Sequence, residues 1–177
     1  MLHKISTERF EDHRGFFSET YNKRRLAELG IENDFVQDNH SFSLEPGTIR
    51  GLHFQAPPQA QGKLIRCLKG AVFDVAVDIR IGSPTFGEWE AHELTEKNGY
   101  QLYIPIGFAH GFMTLEPKSE VMYKCTDFYA PDSEVSLHWD SCAIDWPLGI
   151  PPIISKKDSD AINLADLKSP FIFGVNS

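Results

Sequence analysis

The clearest patterning in the chain is "GAVFDVAVDIR", where Phe73, Val75, Val77 and Ile79 alternate with Val72, Asp74, Ala76, Asp78 and Arg80. A period of two predicts a strand with one purely apolar face and one small or charged face. "IGSPTFG" then turns the chain, the alternation resumes in "EWEAHELT", and "KNG" turns it again before "YQLYIPIG" and "SEVMYKCTDFYAP". Helical signal is scarce. "NKRRLAELG" offers Asn22 as an N-cap, Leu26 and Leu29 three apart, and a terminating Gly30. "DAINLADLKSP" predicts a second short helix, ended before Pro170. Short strands at regular spacing with Gly, Pro and Asn between them predict an all-β sandwich or jelly-roll barrel. Short helices belong near the N-terminal region and at the C-terminus. No linker interrupts the pattern, so residues 1–177 read as a single domain.

One strand breaks its own rule. In "IRGLHFQ", alternation sends Ile49, Gly51, His53 and Gln55 to one side and Arg50, Leu52 and Phe54 to the other. An imidazole pointing into a sheet interior is either a satisfied core residue or a functional one.

Composition narrows the classes. The chain is 41% hydrophobic and 24% charged, as in ordinary soluble proteins. No apolar run approaches the roughly 20 residues that span a bilayer. "MLHKISTERF" has charges where a secretory signal would be apolar, and Cys67, Cys125 and Cys142 are odd in number and widely spaced. Both point to a reducing, cytoplasmic setting. A net charge of −8 argues against nucleic acid as a partner while leaving room for a basic pocket that takes a small anion.

"GYQLYIPIGFAHGF" spaces Gly99, Pro105, Gly107 and His110 in a way that resembles the second motif of the cupins, the small jelly-roll barrels. Metal-binding cupins add a His-x-His pair and a glutamate, and no second histidine stands at that spacing beside His53. His53 and His110 alone make a poor divalent-metal site, so no metal is expected. The resemblance then becomes specific. "FEDHRGFFSETYN", "FVQDNHSFS", "IRGLHFQ", "QGKLIRCLKGAVFDVAVDIR", "YIPIGFAHGF", "YKCTDFYAPDSE" and "DWPLGIPPIISKKD" follow one another as in the dTDP-4-dehydrorhamnose 3,5-epimerases. The similarity runs from about Phe10 to Asp158.

That resemblance implies a dTDP-4-keto-6-deoxy sugar as substrate, epimerised next to its C4 ketone without metal or cofactor. It implies His53 as general base, a role that imidazole's pKa of about 6.5 suits, with Asp158 behind it. Asp160 and Asp74 are local competitors for that supporting place. Tyr123 would be the proton donor, Lys63 the charge beside the C4 oxygen, and His110 a further sugar contact. Arg50 would meet the pyrophosphate. Arg50 and His53 should then share the pocket, which strict alternation forbids. A bulge or twist at Gly51, a strand end, or a neighbouring subunit would reconcile them.

For the nucleotide, the resemblance implies Arg14, Glu19, Gln37, Asn39, Tyr129 as a stacking aromatic, Glu134 and Lys157. Phe16 and Phe17 read as packing residues. The N-terminal segment of such enzymes reaches the neighbouring subunit's site, which implies a homodimer. Phe128 and Phe54 stand where many members carry tyrosine, each costing a hydroxyl. The "RGFF" block lies nearer the chain start than in many relatives, which implies a shortened first edge strand. Relatives that epimerise only C3 or only C5 share the same base and lysine. A barrel that merely binds a nucleotide sugar would lack the base or the acid, and a metal-dependent cupin would need the absent ligand motif.

Overall fold

The computed structural model describes residues 2–147, 149 and 151–175; the ends of the predicted domain, Met1 and Ser177, lie outside them. In chain order the strands are β1 (His3–Ser6), β2 (Phe10–Asp12), β3 (Gly15–Phe17), β4 (Gln37–Ser43), β5 (Thr48–Gln55), β6 (Lys63–Lys69) and β7 (Ala71–Asp78). They continue as β8 (Trp89–Thr95), β9 (Tyr100–Ile104), β10 (Phe108–Thr114), β11 (Ser119–Cys125), β12 (Glu134–Ser136) and β13 (Ile153–Ile154). Two helices, α1 (Lys23–Glu28) and α2 (Lys156–Ser159), complete the set with two single 3₁₀ turns.

Two antiparallel sheets carry the architecture. One runs β1-β9-β6-β11-β4 and the other β12-β5-β10-β7-β8, with β13 added in parallel beside β5. The sheets are not closed into a continuous barrel. Between them lie Ile65, Leu102, Ile104 and Val121 of the first sheet against Val72, Ala76, Leu94 and Phe112 of the second.

The two faces of β7 divide unexpectedly. Its purely apolar row does not face the other sheet. Val75, Val77 and Ile79 are buried on the outer side, with Phe73 packed beside them, under Leu137, Ile144, Trp146 and Phe171 from the C-terminal third. Each such side chain contributes roughly 1.5–3 kcal/mol on burial. The small and charged row looks inward instead. There Asp74 is held by His110, and Asp78 by Arg80, Ser83 and Thr85. Covering the sheet's outside with the C-terminal segment frees its inside for polar chemistry.

Of the alternatives open for Arg50 and His53, the structure shows a bulge at Gly51. His53 pairs with His110 and Arg50 pairs with Phe112, so Gly51 and Leu52 of β5 stand opposite Gly111 alone. That extra residue flips the alternation. Gly51 has φ +127°, and a Cβ there would sit 2.5 Å from Gly111 Cα and 2.8 Å from the His110 carbonyl oxygen. Only glycine fits.

Helix α1 forms as expected, with the Asn22 side chain accepting from the backbone amides of Arg24 and Arg25. The tail helix does not. "DAINLADLKSP" contains only a 3₁₀ turn over Leu164–Asp166. Ile162 bridges to Leu137 and its carbonyl accepts from His138 N, which draws the backbone out of helical geometry. The short helix lies earlier, in α2, capped by Ser155.

Candidate active site

Between the sheets opens a cavity of about 610 Å³. Arg50 and His53 of β5 both line it, the consequence of the Gly51 bulge. His110 and Phe112 enter from β10, Lys63 from β6, and Tyr123 from β11. His53 and His110 therefore come from one sheet, and Lys63 and Tyr123 from the facing one.

The three candidate carboxylates sort themselves by distance. Asp158 Oδ1 lies 2.6 Å from His53 Nε2. Asp74 holds His110 at 3.0 Å through both of its oxygens, and Asp160 pairs with Lys156. Asp158 sits on α2, where Ser155 caps the helix and receives its backbone amide. Burial pushes the Asp158 carboxyl up, but bonds from His53, Ser155 and the Gly51 amide outweigh that and hold it below the usual range. An ionised Asp158 can only accept, so His53 Nε2–H donates to it.

Lys63 lines the cavity, where the resemblance places it. Half-buried at the start of β6, its ammonium lies 6.0 Å from the centre of the Tyr123 ring and donates weakly to the His53 carbonyl at 3.5 Å. Burial lowers its pKa, opposed in part by Cys125, Asp74 and Glu134. Burial raises the Tyr123 phenol, against the pull of an Asn39 hydrogen bond and of Arg50. The phenol stays protonated.

At the cavity mouth the Tyr129 hydroxyl donates to Glu134 Oε2 at 2.9 Å, and Lys157 Nζ lies 2.6 Å from Glu134 Oε1. Burial raises Glu134, but Lys157 and Tyr129 bring it below its usual value. Gln37 accepts from Tyr129 N and donates to Asn39, tying β4 to this rim. Arg14 and Glu19 do not join the cavity within one chain. Arg14 pairs with Asp12 in the β2–β3 hairpin, and Glu19 pairs with Asn22 and Arg25 beside α1. Phe16 and Phe17, expected to pack, are 56% and 69% exposed. Phe54 packs edge-on to Phe171 in the outer core, and Phe128 is exposed.

Sequence reasoning missed Ser41 and Ser43. The signal was available: period two across "QDNHSFS" places Gln37, Asn39, Ser41 and Ser43 on one face of β4. Ser41 lines the cavity with its hydroxyl unpartnered among the described residues, and Ser43 binds Arg50. Among the described residues, no three His, Cys, Asp or Glu side chains converge as a metal site.

A jelly roll that sets an aspartate-backed histidine on one sheet and a tyrosine and a half-buried lysine on the facing one is a cupin-like isomerase in its construction. The signature of the dTDP-4-dehydrorhamnose 3,5-epimerases matches residues 2–166, and the chain belongs to that family. It is 47% identical over 169 residues to the dTDP-4-dehydrorhamnose 3,5-epimerase of Sinorhizobium fredii, covering 94% of this chain and 87% of the relative. To the Salmonella typhimurium enzyme of the same name it is 52% identical over 155 residues, covering 86% and 84%. Its fold superposes with a TM-score of 0.90, at 50% identity, on the Legionella pneumophila dTDP-6-deoxy-D-glucose-3,5-epimerase solved with dTDP-4-keto-L-rhamnose. That match covers 94% of this chain and 89% of the other.

Proposed function

We propose that this chain epimerises C3 and C5 of dTDP-4-dehydro-6-deoxy-D-glucose to give dTDP-4-dehydro-L-rhamnose, a step of dTDP-L-rhamnose biosynthesis. The observation that carries the reading is His53 on one sheet, backed by Asp158 of α2, facing Tyr123 on the other sheet across a single cavity. A ring held between the sheets presents one face to a base and the opposite face to an acid, which inversion requires.

In this reading His53 Nδ1 takes the proton from the carbon beside the C4 ketone, and Asp158 stabilises the imidazolium that forms. The C–H electron pair moves into the ring as an enolate, whose oxygen is held by the Lys63 ammonium with His110 nearby. Tyr123 returns a proton to the other face. Protons removed equal protons returned and no carbon changes oxidation state overall, so the chemistry needs no redox cofactor, and the Lys63 ammonium takes the enolate charge that a metal would otherwise take. Arg50 takes the pyrophosphate, and Tyr129, Glu134, Lys157, Gln37 and Asn39 take the rest of the nucleotide. The working unit is a cytoplasmic homodimer of one cupin-like domain spanning 1–177, with Arg14 and Glu19 serving the partner's site and no nucleic acid involved. No helix among the described residues is long and apolar enough to cross a membrane.

The test is incubation with dTDP-4-keto-6-deoxyglucose in D2O with a chelator present. Deuterium at both C3 and C5 is expected, and His53→Ala should abolish it while dTDP still binds. Label at one carbon alone would assign the chain to single-site epimerisation. No label with dTDP bound would make it a binding protein.

A further inference from the structure

Arg50 does not hang free in the cavity. Its Nε–H donates to Ser43 Oγ at 3.1 Å, and Nη2 donates to the Phe42 carbonyl at 2.9 Å. Ser43 ends β4 and is 3% exposed. β4 is the edge strand of the first sheet, and Arg50 belongs to the second. The two bonds therefore cross the seam between sheets, and one of them uses a carbonyl on an edge strand.

A guanidinium carries five N–H donors in one plane. Two are spent on β4, which fixes that plane and the direction of the three that remain at Nη1 and Nη2. An arginine not so fixed would lose its side-chain freedom only when ligand bound, at a cost in affinity. Alanine at position 43 offers no acceptor.

We propose that Ser43 is a positioning residue that aims Arg50 at the diphosphate of the nucleotide sugar. A buried serine that never touches substrate thus sets part of the phosphate affinity. The inference rests on the reading of Arg50 as the phosphate contact, and the experiment separates the two.

Binding of dTDP is measured by calorimetry for wild type, Ser43→Ala, Ser43→Thr, Arg50→Ala and the Ser43→Ala/Arg50→Ala pair. Ser43→Ala should weaken dTDP about tenfold, the scale of one lost charge-assisted hydrogen bond, and Ser43→Thr should restore most of the loss. In the Arg50→Ala background the serine substitution should change nothing, because its effect passes through the arginine. Ser43→Cys, which keeps the volume but accepts poorly, provides a second variant should Ser43→Ala fold badly; it too should bind weakly. If Arg50→Ala weakens binding and neither Ser43→Ala nor Ser43→Cys does, Ser43 does not position it. A serine effect that persists without Arg50 would also overturn the inference, since the role would be structural. Wild-type affinity in Arg50→Ala would remove the phosphate role of Arg50 itself.

Discussion

At the scale of single residues, the site works by pushing two proton-bearing groups in opposite senses. Burial lowers the Lys63 ammonium and raises the Tyr123 phenol. Lys63 is charged below its lowered pKa, so the help to the enolate proposed for it is complete at low pH and is lost as pH rises through that value. The alkaline limb of kcat/KM should fall below the ordinary lysine value of about 10.4. Lys63→Arg should move the limb upward, because guanidinium keeps its proton beyond pH 12, and should lower the peak rate because the fork does not fit an ammonium's place. A pH–rate profile of both proteins decides it: an unmoved limb would belong to another group. Little of this was readable from residue types. A lysine opening a strand is ordinarily solvated, and only the fold, with β6 between β9 and β11 and the Lys63 ammonium beside the His53 carbonyl, shows that this one lines the cavity. The choice among Asp158, Asp160 and Asp74 was equally illegible, since all three depend on where distant segments land.

At the scale of elements, the decisive feature is one glycine. "IRGLHFQ" already contained the contradiction that Arg50 and His53 cannot share a face on a regular strand, which left a bulge at Gly51, a strand end or a neighbouring subunit as ways out. What alternation could not supply was the reason the bulge stays put. Gly51 meets Gly111 across β10 so closely that neither position has room for a Cβ. Gly51→Ala should force β5 from β10 and carry His53 away from His110. Overpacking and the positive φ together should cost about 3 kcal/mol. Denaturant unfolding measures that loss. Activity at a temperature where the variant is still folded should fall further than the folded fraction explains. Normal turnover by a folded Gly51→Ala protein would show that the bulge does not align the site. β7 was legible because Phe73, Val75, Val77 and Ile79 keep period two along it and into the residue after it. The tail was not, because Ile162 is held extended by a backbone partner some two dozen residues away, Leu137 with His138.

At the scale of the whole molecule, an acidic chain keeps a basic interior, with Arg50, Lys63 and Lys157 lining one cavity. Its N-terminal hairpin is the part that makes no sense alone. β2 and β3 are three residues each, and Phe10, Phe16 and Phe17 on them are 53%, 56% and 69% exposed. A two-stranded ribbon is marginal in water, and three neighbouring exposed phenylalanines mark a surface that something covers. The hairpin also carries Arg14, a residue implied in nucleotide binding yet absent from its own chain's cavity. The proposed homodimer would account for both facts if the hairpin lay on the second copy and delivered Arg14 there. Phe17→Asp should then yield monomers in sedimentation and weaken dTDP binding by about tenfold or more. Arg14→Ala should weaken dTDP while leaving the dimer intact, because it removes the delivered group and not the apolar contact. A Phe17→Asp protein that stays dimeric and binds dTDP normally would show that the hairpin serves neither purpose.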